Sequence, residues 1–172
     1  MKNFIFIIGG ARSGKSRYAV ERTRKMKEKT VFIATAECSD SEMHHRIKLH
    51  KRNRPKAWKV IEESRDVASV LTNLKADYKV ILIDCLGLFI YNLLNDGLSE
   101  KHIILKIKKL IKAISGISCF TVLVSNDVGA GIVPAVASAR KFRDILGIAN
   151  QLMAKEADEV IFMQAGIPIK IK

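Results

Sequence analysis

The sequence is short of cysteine and of aromatic residues, and each shortage excludes a class of protein. The three cysteines, Cys38, Cys85 and Cys119, lie far apart and form no C-x-x-C motif. This argues against both a disulfide framework and a zinc site, and it predicts a protein of the reducing cytoplasm. Aromatic residues make up 6% of the chain, which is too few for the base-stacking platform of a single-strand nucleic-acid binder.

Acidic residues are also scarce, with 17 Asp and Glu against 30 Lys and Arg and a formal net charge of +13. A basic NTPase that binds nucleic acid is one explanation, and its affinity would fall steeply with salt. The lysines are scattered over the polar faces of predicted helices without interleaved aromatic residues. We therefore interpret them as solvated surface and predict no nucleic-acid partner.

Long apolar runs are missing as well. The stretch 80–94 is interrupted by Asp84 and Asn92, so it falls short of the roughly 20 apolar residues of a membrane span. The apolar start, residues 4–8, is too short for a signal peptide and continues into a glycine-rich loop. No repeat, low-complexity tract or linker divides the chain. We therefore predict a single domain over residues 1–172 and no membrane span.

Strand and helix signals alternate along the chain, which predicts an α/β fold with a mostly parallel central sheet. The predicted strands are 3–8, 30–35, 58–62, 79–84, 118–125, 160–163 and 168–171. The predicted helices are 14–28, 40–52, 65–75, 86–95, 99–114 and a long helix between Pro134 and Ala157.

The most specific motif follows the first predicted strand. Residues 9–16 read G-x-x-x-x-G-K-S, the spacing of a Walker A loop. Glycines allow backbone N–H groups to close around phosphate oxygens, and the next helix points its N-terminus at the same anion. Lys15 is placed to reach the β- and γ-phosphates, and the Ser16 hydroxyl to hold Mg²⁺. The predicted nucleotide-binding residues are Gly9, Gly10, Ala11, Arg12, Ser13, Gly14, Lys15 and Ser16.

A second motif ends the apolar run 80–83 with Asp84. A carboxylate at this position of a strand is typical of the Walker B motif, which contributes to Mg²⁺ binding. Short apolar runs that end in Asp are common, and the alternative is that Asp84 caps the helix beginning near Leu86. Because a Walker A loop is present, we favour metal binding.

The predicted helix 40–52 carries Arg46 and His50 one turn apart. An imidazole can attack a phosphorus atom, and a neighbouring arginine such as Arg46 or Arg54 can stabilise the phosphate charge. From spacing alone, a histidine of this kind is more often a packed or surface residue. The spacing alone therefore favours the packed or surface interpretation and leaves phosphoryl transfer open.

Two later segments are equally open. Asn126 and Asp127 begin a glycine-rich loop at a predicted strand end, where they either orient an acceptor or form a turn. Arg143 precedes Asp144 on a predicted helix, where it either binds phosphate or forms a local ion pair.

Together these motifs resemble the bifunctional adenosylcobinamide kinase / adenosylcobinamide-phosphate guanylyltransferase family of cobalamin biosynthesis. The resemblance covers nearly the whole chain and rests on several separate blocks. They are G-G-A-R-S-G-K-S-R at 9–17, I-A-T-A at 33–36, the R-I-x-x-H pattern at 46–50 with R-P at 54–55, D-C-L at 84–86, G-I-V-P at 131–134, F-R-D at 142–144 and A-D-E-V at 157–160.

The resemblance implies two reactions. ATP or GTP phosphorylates the aminopropanol hydroxyl of adenosylcobinamide, and GMP from GTP is then transferred to that phosphate through a guanylylated histidine. His50 matches the position of that histidine, so the resemblance implies that it is the nucleophile and that Lys15 assists catalysis. It also implies a RecA-like three-layer fold and a homotrimer.

The resemblance extends the predicted site beyond the Walker motifs. It adds Ala34, Thr35, Arg54 and Asp84 to the nucleotide site, and it assigns substrate contacts to Arg46, Asn126, Asp127 and Arg143. The family usually has glutamate where this chain has Asp127, which leaves the role of that residue open. A plain P-loop kinase of another small molecule remains the alternative, and it gives His50 no role.

Overall fold

The computed structural model describes residues 3–37, 41, 44, 48, 51, 54–74 and 77–172. In this part of the chain the strands are β1 Phe4–Gly9, β2 Thr30–Ala34, β3 Lys59–Glu62, β4 Val80–Asp84, β5 Phe120–Asn126, β6 Glu159–Gln164 and β7 Ile167–Lys170. The helices are α1 Lys15–Lys25, α2 Val67–Thr72, α3 Leu86–Asn95, α4 Glu100–Gly116 and α5 Ala137–Glu156.

The strands form one seven-stranded sheet in the order β3-β2-β4-β5-β1-β6-β7. All neighbouring pairs are parallel except β6 and β7, which form an antiparallel hairpin. The inner strands are rich in apolar residues because a parallel sheet is buried on both faces. This order places β5 between β1, which leads into the Walker A loop, and β4, which ends in Asp84.

Side chains alternate between the two faces of each strand, which gives the sheet two apolar cores. On one face, residues such as Phe6, Ile33 and Ile83 pack against α2, α3, α4 and α5. On the other face, residues such as Ile7 and Phe32 belong to a smaller cluster that includes Ala19 of α1. The predicted α/β fold with helices on both faces of a mostly parallel sheet is confirmed.

Each predicted strand, and each predicted helix outside 40–52, is confirmed, with small differences at the ends. Helix α1 ends at Lys25 rather than 28, because Lys27 takes a left-handed conformation with φ of 56° that breaks the helix. Most of the predicted helix 40–52 lies outside the described residues, but Ser41, His44, Lys48 and Lys51 are helical. In the part of the chain that the structure describes, no helix is long and apolar enough to cross a membrane.

Candidate nucleotide-binding site

The Walker A loop joins β1 to α1 in the tight form that its glycines permit. Gly14 has φ of 91°, a value that L side chains rarely adopt, and Tyr18 N–H donates to the Gly14 carbonyl at 2.9 Å to begin the helix. A Cβ added at Gly9 would lie 2.5 Å from the Met163 carbonyl oxygen and 2.8 Å from Ser13 Oγ. Only glycine therefore fits at position 9 without displacing β6 or the loop.

The β6–β7 hairpin supports this loop from behind. Gly166 N–H donates to the Ser13 carbonyl at 3.0 Å, and a Cβ added at Gly14 would lie 3.4 Å from the Gly166 Cα. Sequence reasoning missed this contact, although a glycine in the predicted hairpin turn was the available signal. The hairpin thus fixes the loop that is expected to surround phosphate.

Lys15 and Asp84 lie close enough to interact electrostatically, as the two Walker motifs predict. Lys15 Nζ donates to the Gly10 carbonyl at 3.0 Å, so the side chain folds back over the loop. Burial lowers the pKa of Lys15, and the nearby Cys85 and Asp84 oppose that shift. The structure therefore brings a partly buried cation and a carboxylate together at the carboxyl end of the sheet.

Asp84 does not cap the helix that follows it, so that alternative interpretation is wrong. The N-cap of α3 is Cys85, whose Sγ accepts a hydrogen bond from Leu88 N–H at 3.4 Å. Burial raises the pKa of the Cys85 thiol to about 12, and the neighbouring Asp84 adds to the shift. Cys85 is thus a buried capping group and not a nucleophile.

Arg54 lies against Phe32, on the face of the sheet that α1 covers, and two of its buried nitrogens have no hydrogen-bond partner in the described part of the chain. Its guanidinium carbon is 3.8 Å from the centroid of the Phe32 ring. Nε and Nη1 are buried and hydrogen-bond to nothing in the described residues. Burial lowers the pKa of Arg54, whereas Asp84 and Glu62 oppose that shift. Unpaired buried donors are costly, and an arriving phosphate would satisfy them.

Ala34 ends β2 opposite Asp84 and Thr35 follows it, but neither offers a polar side-chain group to a ligand. Ala34 is 5% exposed and Thr35 is fully buried. The Thr35 hydroxyl accepts from Cys85 N–H and donates to the Cys85 carbonyl, each at 2.7 Å. The Thr35 hydroxyl is therefore hydrogen-bonded to the backbone of Cys85, the residue after Asp84.

Asn126 lies beside the Walker A loop. It is paired with Gly9 across the β1–β5 ladder, and Asp127 N–H donates to the Gly9 carbonyl at 2.9 Å. Asn150 Nδ2 donates a hydrogen bond to the Asn126 carbonyl at 3.0 Å. A Cβ added at Gly87 of α3 would lie 3.0 Å from Asn126 Nδ2, so this helix packs closely against the Asn126 side chain.

Two other predicted substrate residues take part in local contacts. Asp127 Oδ1 accepts from Gly129 N–H at 3.0 Å, which closes a turn. Arg143 Nε is 3.4 Å from Asp144 Oδ1, an ion pair between neighbours on α5. The structure thus places Asn126 at the Walker A loop. Asp127 forms the turn, and Arg143 forms the local ion pair, that were the alternatives to substrate binding. Arg46 and His50 lie outside the described residues.

The oxygen donors Ser16 and Asp84 fit Mg²⁺ better than they fit a metal ion that is coordinated only by protein side chains. In the described part of the chain, no group of three or more His, Cys, Asp or Glu residues could hold a metal ion. Ser16 follows Lys15 in the first turn of α1, and Asp84 lies near Lys15. Mg²⁺ usually takes one or two protein oxygens together with substrate phosphates and water, and Ser16 with Asp84 matches that donor set.

The sequence over residues 5–171 matches a family model described as cobinamide kinase / cobinamide phosphate guanyltransferase. The chain belongs to this family. Among its relatives, the bifunctional adenosylcobalamin biosynthesis protein CobU of Salmonella typhimurium is 40% identical, covering 98% of this chain and 99% of that protein. CobU of Escherichia coli is 37% identical, also covering 98% of this chain and 99% of that protein. CobP of Pseudomonas aeruginosa is 34% identical over 96% of this chain and 95% of its own.

Solved structures share the fold of this chain. The RadB recombinase superposes with a TM-score of 0.54 at 10% identity, covering 94% of this chain and 74% of its own. A Pyrococcus horikoshii protein superposes with a TM-score of 0.60 at 12% identity, covering 99% and 86%. At such low identity these likenesses concern the fold alone, and they confirm the predicted RecA-like P-loop architecture.

Proposed function

We propose that this protein catalyses both reactions for which its family is named. ATP or GTP phosphorylates adenosylcobinamide, and GTP then transfers GMP to the product, giving adenosylcobinamide-GDP and pyrophosphate. The main support is that Lys15 of the Walker A loop and Arg54 both interact with Asp84, and that two Arg54 nitrogens have no hydrogen-bond partner among the described residues. These residues lie in a chain whose relatives are named as bifunctional enzymes over their full length.

In this proposal the loop residues 9–16 surround the phosphates with backbone N–H groups, and the positive end of α1 adds to the attraction. Lys15 stabilises charge on the β- and γ-phosphates. Arg54 offers its Nε and Nη1 N–H groups to a phosphate oxygen. Ser16 and Asp84 would hold Mg²⁺, which when bound neutralises charge on the triphosphate.

We assign the covalent step to His50. A neutral ring nitrogen attacks the α-phosphorus of GTP, a nitrogen–phosphorus bond forms, and the bond to the bridging oxygen breaks so that pyrophosphate leaves. The ring loses its other proton to solvent. An oxygen of adenosylcobinamide phosphate then attacks the same phosphorus, the nitrogen–phosphorus bond breaks with its electron pair going to the ring nitrogen, and the ring takes up a proton from solvent to become neutral imidazole again. Arg46 is proposed to stabilise the phosphate charge in this exchange.

The acceptor side of the site is assigned to Asn126, because it borders Gly9 at the loop. Asp127 and Arg143 are proposed to contact substrate only if their local pairs open. We further propose one domain over residues 1–172, a homotrimer, a cytoplasmic location and no nucleic-acid partner.

The test of this function needs no corrinoid. The purified protein is incubated with Mg²⁺ and GTP, and its intact mass is measured before peptide mapping at mildly alkaline pH, where a phosphoramidate survives. We expect an adduct of one GMP on the peptide that contains His50 and no adduct when EDTA is present. If GTP binds but leaves no adduct, the protein is a plain P-loop kinase or transfers GMP directly.

Replacing Arg54 by Met tests its contact with phosphate. The variant keeps a long side chain over Phe32 but loses the charge and the two unpaired N–H groups. We expect GTP to bind about 10- to 100-fold more weakly by calorimetry, since a charge-assisted hydrogen bond is worth about 1.5–3 kcal/mol. Arg24→Met, on the exposed end of α1, is the matched control. Equal GTP affinity for Arg54→Met and wild type would contradict the assignment.

A further inference from the structure

The Thr35 hydroxyl closes a double hydrogen bond with the residue that follows Asp84. Its oxygen lies 2.7 Å from Cys85 N, which donates to it, and 2.7 Å from the Cys85 carbonyl, which accepts from it. The Thr35 backbone N–H donates to the Asp84 carbonyl at 3.2 Å. Three backbone atoms next to the Asp84 side chain are thus tied to one residue.

Asn92 holds Thr35 in turn. Its Nδ2 donates to the Thr35 carbonyl at 2.8 Å from the second turn of α3. Thr35 is fully buried and Asn92 is 5% exposed, so no solvent competes for these hydrogen bonds. Buried polar groups whose hydrogen bonds are satisfied give a single well-defined geometry.

We propose that Thr35 and Asn92 are positioning residues that fix the carboxylate of Asp84 for Mg²⁺. A carboxylate points where its backbone directs it, and hydrogen bonds behind a metal ligand hold that ligand in the orientation the metal requires. The inference rests on the proposed role of Asp84 as a metal ligand. It gives Thr35 a task other than contact with the nucleotide.

Thr35→Val tests this proposal, because valine has the shape of threonine but cannot make the hydrogen bonds to Cys85. The readout is GTP affinity measured by calorimetry with EDTA and across a series of Mg²⁺ concentrations. We expect the apparent affinity for Mg²⁺ in the presence of GTP to fall about tenfold or more. GTP affinity in EDTA should stay within about twofold, and Thr35→Ser, which keeps the hydroxyl, should restore the Mg²⁺ response.

Thr121→Val is the matched control. Thr121 is also fully buried in the sheet, on β5, but its hydroxyl has no hydrogen-bond partner among the described residues. Its replacement by valine should leave both GTP measurements within about twofold of wild type, because no hydrogen bond is lost. The pair therefore separates loss of a buried hydroxyl from loss of the hydrogen bonds to Cys85.

Asp84→Asn gives the reference for a lost metal ligand. If it leaves the Mg²⁺ response unchanged, the proposed role of Asp84 fails and the positioning role fails with it. If Asp84→Asn weakens that response but Thr35→Val does not, the positioning role alone is overturned. An equal loss with Mg²⁺ and with EDTA would also overturn it, since Thr35 would then act on the nucleotide or the loop. Should Thr35→Val not fold, Asn92→Ala is judged by the same measurements.

Discussion

Lys15→Met is expected to lower kcat/KM of both the kinase and the guanylyltransferase reactions by about 10²–10³-fold, the usual cost of losing one preorganised charge or donor. The Lys15 ammonium donates one hydrogen bond to the Gly10 carbonyl at 3.0 Å, which leaves two N–H groups for the phosphates. Both reactions use a nucleoside triphosphate, and the described residues offer one Walker A loop. A single substitution should therefore impair both.

The same variant should fold at least as well as wild type when no nucleotide is bound. Lys15 is held where burial lowers its pKa, so its charge is disfavoured in the ligand-free protein. Methionine has similar length and no charge to desolvate. We expect the melting temperature of the ligand-free protein to stay equal or to rise, while the gain in melting temperature that GTP gives wild type is lost.

Lys155→Met, at the exposed end of α5, is the control for removing a positive charge. It should leave both activities and the nucleotide-dependent gain in melting temperature unchanged. A Lys15→Met variant that melts several degrees lower without nucleotide would show that Lys15 is structural. Retention of more than about a tenth of either activity would contradict its role in that reaction.

His50→Ala is expected to abolish the GMP adduct and the transfer of GMP, because no other group would form the nitrogen–phosphorus bond. Phosphorylation of adenosylcobinamide should continue within a few fold of wild type, since that reaction uses the Walker motifs and not the imidazole. The measurement is the separate rate of each reaction, with corrinoid phosphate supplied directly for the second.

His44→Ala is the matched control, because His44 is an exposed helical residue of the same segment. It should keep the adduct and both activities. Equal loss of both reactions in a folded His50→Ala variant would contradict the division between the two steps. Loss of neither would remove His50 from the mechanism and favour direct transfer.

Much of this molecule was predictable from local patterns. Alternating strand and helix signals predicted the parallel sheet, because apolar runs such as 80–83 suit only strands that are covered on both faces. The Walker A spacing predicted a glycine-rich loop followed by a helix, and the structure has that loop, with a positive φ at Gly14 and the helix beginning at Lys15. Such features depend on neighbours in sequence, which is why they could be predicted without the fold.

Other features depended on the order of the strands in the sheet, which local sequence patterns do not reveal. Because β2 and β4 are neighbours in the sheet, Thr35 meets Cys85, which is 50 residues away in the sequence, and the threonine hydroxyl is used inside the protein. Similarly, Arg54 directly precedes Pro55 in sequence, but only the fold packs it on Phe32 and buries Nε and Nη1 without a hydrogen-bond partner in the described part of the chain.

The sequence by itself determined the α/β class, the nucleotide-binding loop and the family, because these depend on the order and spacing of residue types along the chain. The tertiary structure alone decided that Thr35 supports the chain beside Asp84. It also decided that the turn at Gly166 braces the loop at Ser13. The physical reason is that a hydrogen bond requires two groups within about 3 Å, and residues far apart in sequence come that close only when the sheet has formed.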